Sequence, residues 1–270
     1  MASSRWGDLR LRIISAAVMG PIGLACIWLG GAAFVLLIML LAVGMSYEWL
    51  RMCQVEPGPR PVLTFAALPV AVVLAAIDDP LLGLGLIALV FGVASFRPAA
   101  GVHARLFPWG LPYIGIGAVA LTWLRIAPVQ GLSLVIVLLL VVWASDIGAY
   151  LVGRIVGGPR LAPRISPGKT WSGAIGGLLA SMLVGLIAAV PLGAGQHAFA
   201  AALLAGVLGV IGQAGDLLES GLKRRVNVKD SSNLIPGHGG LLDRFDAVLT
   251  AAPTATILAL VVGRGVIIWQ

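Results

Sequence analysis

Nine apolar segments run through the chain, and they constrain its fold more than any other feature of the sequence. Each is roughly as long as the 17–25 residues with which an α-helix crosses a bilayer. Only 11% of the residues are charged, against about a quarter in a soluble domain. The sequence therefore predicts an all-α, polytopic integral membrane protein and excludes a soluble enzyme, a disordered chain and a nucleic-acid-binding protein. The predicted spans are 12–30, 32–50, 61–77, 80–96, 107–124, 129–147, 171–192, 198–218 and 246–263.

The basic residues predict how these spans are oriented. If the N-terminus is cytoplasmic and nine spans alternate, all of the 18 Lys and Arg residues except Arg125 and Arg264 fall in cytoplasmic segments. This bias is what the positive-inside rule describes. The net charge of +7 is therefore a topology signal. We expect an uncleaved first helix and a cytoplasmic N-terminus.

Residues that could support chemistry are concentrated in the C-terminal half. The 31 residues from Asp216 to Asp246 hold five of the 11 acidic and five of the 18 basic residues. We therefore expect residues 1–140 to form a transmembrane scaffold and residues 141–270 to form a transmembrane catalytic region, within one integral membrane unit. Glu48 lies between Tyr47 and Trp49. We interpret it as an anchor in an aromatic belt at the membrane interface.

Carboxylates occur at the facing ends of two predicted helices. Asp216 and Glu219 end the eighth apolar segment, and Asp243 and Asp246 begin the ninth. The loop between them is basic and contains the glycine-rich run 236–240. Hard oxygen ligands next to Lys and Arg suit Mg²⁺ with a polyphosphate. The alternative is a cytoplasmic loop whose charges neutralise one another at the lipid headgroups.

A second basic segment, 154–169, ends within the Gly-Lys-Thr sequence at 168–170. It differs from a Walker A loop, because Pro163 stands where that motif needs glycine and no strand pattern precedes it. A helix beginning at residue 171 is the better prediction, and its N-terminus could bind an anion. Thr170 or Ser172 could instead only cap that helix.

Two further residues have more than one interpretation. Asp146, predicted at the end of the sixth span, could pair with Arg154 or bind a metal. His238, in the glycine-rich run, could be a base, contact phosphate or shape the turn.

Taken together, these motifs resemble the signature of phosphatidate cytidylyltransferases, also called CDP-diglyceride synthases. Every fixed position of that signature is filled over 27 residues, and the strong match extends over about residues 143–246. Ser172 departs from the pattern, because the family usually has glutamate there. The matching runs are Ser220-Gly-Leu-Lys223-Arg224, Lys229-Asp230, Pro236-Gly-His238-Gly-Gly, Asp243-Arg244-Phe245-Asp246, Gly215-Asp216-Leu217, Ser145-Asp146-x-Gly148-Ala149-Tyr150-x-x-Gly153-Arg154 and Leu161-x-Pro163-Arg164-x-Ser166-Pro167-x-Lys169-Thr170-Trp171.

The resemblance implies an enzyme that joins CTP and phosphatidic acid into CDP-diacylglycerol and releases pyrophosphate. It also implies Mg²⁺, with a second cation such as K⁺, and a homodimer. The expected location is a bacterial inner membrane, with the active site facing the cytoplasm.

The resemblance also implies roles for residues at matching positions. The metal ligands would be Asp216 and Asp243, with Asp146 and Asp246 as further candidates. The expected catalytic residues are Asp216, Asp243, Lys223, Lys229 and Asp230. The expected substrate-binding residues are Ser166, Lys169, Thr170, Arg154, Ser220, Arg224, His238 and Arg244.

Three other functions remain as alternatives to test. A CTP-dependent membrane lipid kinase would need a base for an alcohol nucleophile, with His238 or Asp230 as candidates. A transporter would carry ionisable residues at midspan and an internal repeat, and the sequence has neither. A CDP-alcohol phosphotransferase would need a compact aspartate cluster, which is also absent from the sequence.

Overall fold

The computed structural model describes residues 2–56, 58–77, 79–96, 100–126 and 130–262. Eight of the helices in this part of the chain are long and apolar enough to cross a membrane, and α4 is a shorter apolar helix. The predicted helical membrane fold is therefore confirmed. The helices are α1 (Ala2–Leu29), α2 (Gly31–Met52), α3 (Pro59–Ala76), α4 (Pro80–Phe96), α5 (Gly110–Ile126), α6 (Gly131–Ile155), α7 (Trp171–Ala189), α8 (Ala198–Arg225) and α9 (Leu242–Val262).

Helices α6 and α8 continue well beyond the apolar segments that predicted them: the eighth was predicted to end at residue 218, and α8 runs to Arg225. The sixth span was predicted to end at residue 147, but α6 continues to Ile155, where Gly157 and Gly158 follow with positive φ angles of 66° and 110°. Glycine readily adopts this conformation and ends a helix. Asp146 therefore lies within α6, and its predicted place at the helix end is wrong. Hydropathy marks where the hydrocarbon ends, whereas a helix can continue into the headgroups.

A short antiparallel hairpin follows α6, although no strand was predicted there. Its strands are β1 (Arg160–Ala162) and β2 (Ser166–Thr170), which pair Arg160 with Thr170 and Ala162 with Ser166. Helix α7 then begins at Trp171, as predicted. The Thr170 hydroxyl accepts a 3.1 Å hydrogen bond from the main-chain N–H of Gly173, so the capping interpretation of Thr170 is confirmed.

The chain folds as two compact units. The described residues of 1–122 and 225–245 form the first unit, and those of 123–224 and 246–270 form the second. In the second unit, α7 packs closely on α6 through glycines. A Cβ atom at Gly173 would lie 2.7 Å from the Ala149 carbonyl oxygen, and one at Gly177 would lie 2.8 Å from that of Ser145. A larger residue would push the helices apart.

The predicted orientation can be tested by cysteine labelling. Cysteines replacing Asn233 and Asp79 should react with an impermeant maleimide from opposite sides of the membrane, because only the segment of Asn233 is rich in cations. Cys26 is replaced by serine in this background. Cys53 can stay, since burial raises the pKa of its thiol to about 12 and keeps it protonated. Labelling of both positions from the same side would contradict the nine-span topology. Of the basic residues used to predict it, Arg97 and Arg264 lie outside the described part of the chain.

Candidate active site

A cavity of about 550 Å³ lies within the second unit, between α6, the hairpin, α7 and α8. This volume lies in the usual range for a small-molecule site. Sequence reasoning had assigned six of its lining residues to the site, although they are spread over 71 residues of the chain. They are Asp146, Arg154, Ser166, Lys169, Thr170 and Asp216.

An ion pair between Lys169 and Asp216 lies at this cavity. The Lys169 ammonium nitrogen is 2.6 Å from Asp216 Oδ2, and the two side chains are 28% and 32% exposed. The Ser220 hydroxyl donates a 3.3 Å hydrogen bond to Asp216 Oδ1. Water reaches both partners and screens their attraction, so the pair contributes little to stability. A phosphate can therefore compete for Lys169, and a metal cation can compete for Asp216.

Gln213 also lines the cavity, and sequence reasoning missed it. Its amide nitrogen donates to the Ser145 hydroxyl at 3.0 Å and to the Ala174 carbonyl oxygen at 3.3 Å. Both amide hydrogens are thus used within the protein, and the oxygen is the atom that Gln213 can offer to a ligand. The available signal was a polar side chain inside an apolar segment, one helical turn before Asp216.

A buried cluster of ionisable side chains lies near Asp216 in the second unit. The Lys223 ammonium nitrogen lies 3.0 Å from Glu219 Oε2, and these side chains are 11% and 1% exposed. The carboxyl groups of Glu219 and Asp246 lie close enough to interact. Removing one member of such a cluster leaves a buried charge without compensation, which is strongly destabilising. The catalytic role expected of Lys223 and the metal-binding role of Asp246 stay predictions.

Two arginines from the expected set contact neighbouring groups in the second unit. Arg154 donates a 2.8 Å hydrogen bond to the Tyr150 hydroxyl and lies over its ring. Arg224 donates a 3.3 Å hydrogen bond to the carbonyl oxygen of Ile165, in the turn of the hairpin. Both arginines are exposed, so their cationic groups can be reached by an anionic substrate.

In the first unit, the loop before α9 is held by Asp243. The Asp243 carboxylate accepts hydrogen bonds from the main-chain N–H of Ser231 at 3.0 and 3.2 Å, from the Ser231 hydroxyl at 3.0 Å and from the Gly240 N–H at 2.9 Å. Lys229 and Asp230 are exposed on the same loop. The loop therefore presents two of the expected catalytic residues to solvent.

His238 forms hydrogen bonds with two other residues of the first unit, Ser15 and Arg244. A 2.9 Å hydrogen bond joins its Nδ1 to the Ser15 hydroxyl of α1. Arg244 donates to its carbonyl oxygen through Nε at 2.9 Å and Nη2 at 2.6 Å. These contacts fix the glycine-rich turn. The substrate-binding roles expected of His238 and Arg244 stay predictions.

Glu48 has a different place from the one expected. It is 0% exposed and accepts four hydrogen bonds from Ser231, Ser232, Leu241 and Leu242. Its interpretation as an interface anchor is wrong, because an anchor would reach the headgroups. The available signal was a carboxylate inside an apolar helix, which is costly unless it is fully hydrogen-bonded.

The donor atoms at the cavity fit a divalent cation. The carboxylates of Asp146 and Asp216 and the amide oxygen of Gln213 are the hard oxygen ligands that Mg²⁺ prefers. Within the described part of each unit, no group of three or more His, Cys, Asp or Glu side chains could hold a metal. Phosphate and water would have to complete the coordination shell. Asp216 and Asp243 belong to different units, and their shared metal stays a prediction.

Comparison with known proteins identifies the family. The profile of the cytidylyltransferase family matches residues 10–262, so the chain belongs to that family. It is 41% identical over 248 residues to a phosphatidate cytidylyltransferase of Brucella suis biovar 1 (strain 1330), with 91% of each chain covered. It is 33% identical over 260 residues to a phosphatidate cytidylyltransferase of Staphylococcus haemolyticus (strain JCSC1435), covering 93% of this chain and 98% of the relative. The resemblance found in the signature residues is thereby confirmed.

Proposed function

We propose that this membrane protein transfers the cytidylyl group of CTP to phosphatidic acid, giving CDP-diacylglycerol and pyrophosphate. The observation that carries the proposal is the match to the cytidylyltransferase family over residues 10–262. The relatives named phosphatidate cytidylyltransferase, which align with more than nine-tenths of the chain, point to the lipid substrate. A lipid kinase or a transporter has no such support.

The chemistry needs charge neutralisation more than proton transfer. An oxygen of the lipid phosphate attacks the α-phosphorus of CTP, and the bond to the pyrophosphate breaks. A phosphomonoester has its second pKa near ~6 and is already ionised at neutral pH. The enzyme must then mainly align two anions and offset their charge. Lys169 and Arg154, which line the cavity, are the groups we assign to the phosphates.

Asp216 and Asp146 are the residues that we expect to hold Mg²⁺ in the cavity, with Asp246 as a further candidate ligand; the role of Asp243 as a metal ligand is what the family resemblance implies. When bound, the cation offsets negative charge on the phosphates and on the pyrophosphate leaving group. Asp216 already binds a cation, the Lys169 ammonium group at 2.6 Å. This contact supports a cation site at that carboxylate. A second cation such as K⁺ belongs to the same proposal.

The protein crosses the membrane several times, and we propose the bacterial inner membrane as its location. The distribution of basic residues supports a site that faces the cytoplasm, where CTP is made. The relatives above are bacterial. The homodimer expected from the resemblance is also part of the proposal.

An assay with two labelled forms of CTP tests the function. Purified protein in detergent receives phosphatidic acid, a polyprenol as an alcohol acceptor, Mg²⁺ and CTP labelled on either the α- or the γ-phosphate. Cytidylyl transfer should move the α-label into lipid and leave the γ-label in pyrophosphate. A CTP-dependent kinase would do the reverse and move the γ-label into lipid. Label in lipid from neither form would contradict both activities.

A further inference from the structure

We infer that Glu48 is a positioning residue of this reaction: it fixes the loop 226–241 and the first turn of α9, and thereby the orientation of Asp243. The inference rests on the proposed function and adds a residue of α2, far from the signature in sequence. The contacts of Glu48 that support it all lie within the first unit.

The Glu48 carboxylate joins the middle of the loop to its C-terminal end. Its Oε1 accepts from the Leu241 N–H at 2.8 Å and the Ser232 hydroxyl at 2.6 Å. Its Oε2 accepts from the Leu242 N–H at 2.8 Å and the Ser231 hydroxyl at 3.2 Å. Each oxygen thus takes one main-chain and one hydroxyl donor, and all four donors belong to one short stretch of chain.

This position is well suited to a carboxylate. The N–H groups of the first helical turn have no partner within the helix, and the helix dipole favours negative charge there. Leu242 is the first residue of α9. A Cβ atom at Gly240 would lie 2.8 Å from both Glu48 oxygens, so the last glycine of the glycine-rich run lets the chain approach the carboxylate. The glycine of the loop and the carboxylate of Glu48 therefore depend on each other, because the glycine leaves the space that the carboxylate occupies.

Ser231 connects Glu48 to Asp243. Its hydroxyl has a single proton, which the two carboxylates share, since the oxygen lies 3.2 Å from Glu48 Oε2 and 3.0 Å from Asp243 Oδ2. Asp243 also depends on the N–H groups of Ser231 and Gly240, both of which adjoin Glu48. A displaced loop would therefore misplace the Asp243 carboxylate and the exposed Asp230, which directly precedes Ser231.

Glutamine at position 48 tests this role with little change in shape. An amide has one acceptor oxygen, and its NH₂ group would face a main-chain N–H and a serine hydroxyl. Whichever way the amide turns, its NH₂ group opposes one main-chain N–H, that of Leu241 or that of Leu242. We expect Glu48→Gln to lower kcat per folded protein by about 10- to 100-fold, as for residues that orient a ligand carboxylate. The matched control is Glu56→Gln, at an exposed glutamate of the same unit.

A double-mutant cycle separates positioning from mere destabilisation. If Glu48 acts through Ser231, Glu48→Gln and Ser231→Ala should together lower kcat by less than the product of their separate effects. Thermal unfolding gives the folded fraction for each variant. Should Glu48→Gln fail to fold, Ser232→Ala takes its place in the cycle, because it leaves the Glu48 carboxylate intact and removes the 2.6 Å bond to Oε1 together with the 2.9 Å bond from the Leu234 N–H to the Ser232 hydroxyl.

The outcomes distinguish this inference from the proposed function. If the wild type and Glu56→Gln form no CDP-lipid, the proposed function fails and the positioning role fails with it. If both are active but folded Glu48→Gln retains kcat within twofold, the positioning role alone is overturned. Fully multiplicative effects in the cycle would overturn it as well. If Ser232→Ala has to take the place of Glu48→Gln, unchanged kcat in that variant has the same consequence.

Discussion

Replacing Asp216 with asparagine should lower kcat by at least about 100-fold, the usual scale for losing one electrostatic stabiliser of a transition state. The protein should still insert and fold, because asparagine keeps the shape and can accept the hydrogen bond from Ser220. The lost property is the negative charge. Asparagine cannot compensate the Lys169 ammonium group, 2.6 Å away, and is a poor ligand for Mg²⁺. Excess Mg²⁺ should rescue the variant poorly, since the remaining ligands would hold the ion in another place.

The matched control for Asp216 is Asp79→Asn. Asp79 Oδ1 accepts a 3.1 Å hydrogen bond from the Leu82 N–H at the start of α4, and asparagine caps helices about as well as aspartate. Expression, unfolding temperature and kcat of this control should match the wild type. If Asp216→Asn has near-normal turnover and an unchanged Mg²⁺ dependence, the prediction is wrong and the role of Asp216 is structural. The metal would then have to be held by Asp146 or another carboxylate.

The apolar segments were sufficient to predict the helices, because crossing a bilayer imposes both length and composition. They could not predict where α6 and α8 end. Beyond the hydrocarbon layer a helix continues until its backbone conformation changes. After α6 this change occurs at Gly157 and Gly158. As a result Asp146 lies within α6, and Asp216 and Glu219 lie within α8, which runs to Arg225. A carboxylate on a continuous helix points in a direction that the helix fixes. A carboxylate on a loop would not be held in this way.

The hairpin was missed for a different reason. Strand β2 is Ser-Pro-Gly-Lys-Thr, with no alternation of apolar and polar residues and with two residues that strands usually avoid. Pairing with β1, and not local preference, makes it extended. The signature match still assigned Ser166, Lys169 and Thr170 to the site. Resemblance can identify the residues of a site without identifying the backbone that carries them.

Glu48 could not be placed from sequence, because its partners are remote. The hydrogen bonds from Ser231 and Leu242 connect residues 183 and 194 positions apart. Local sequence shows only a glutamate flanked by aromatic residues, a pattern shared with interface anchors. Burial of that carboxylate is tolerated since four donors surround it.

Lys169→Ala should raise the KM for CTP by about 10- to 100-fold, with a smaller effect on kcat. A hydrogen bond to a charged group contributes about 1.5–3 kcal/mol, and alanine removes it from the phosphate. Arg164→Ala is the matched control, because Arg164 is an exposed cation in the same hairpin. It should leave the KM for CTP within about twofold of the wild type, since Arg164 is not among the residues that line the cavity and water screens its exposed charge. Equal effects of both substitutions would show that only the general positive charge of the hairpin matters.

When metal binding is measured without nucleotide, substitutions at Lys169 and at Asp216 should change the metal affinity in opposite directions. In the free enzyme the Lys169 ammonium group competes with a metal for the Asp216 carboxylate. Removing this competitor should make Lys169→Ala bind Mn²⁺, used as a spectroscopic substitute for Mg²⁺, more tightly than the wild type. Asp216→Asn should bind Mn²⁺ more weakly. The gain from Lys169→Ala should be modest, because both side chains are partly exposed and water already screens the pair.

If Lys169→Ala weakens Mn²⁺ binding, the lysine supports the carboxylate instead of competing for it. Its role in binding phosphate would then need a separate explanation.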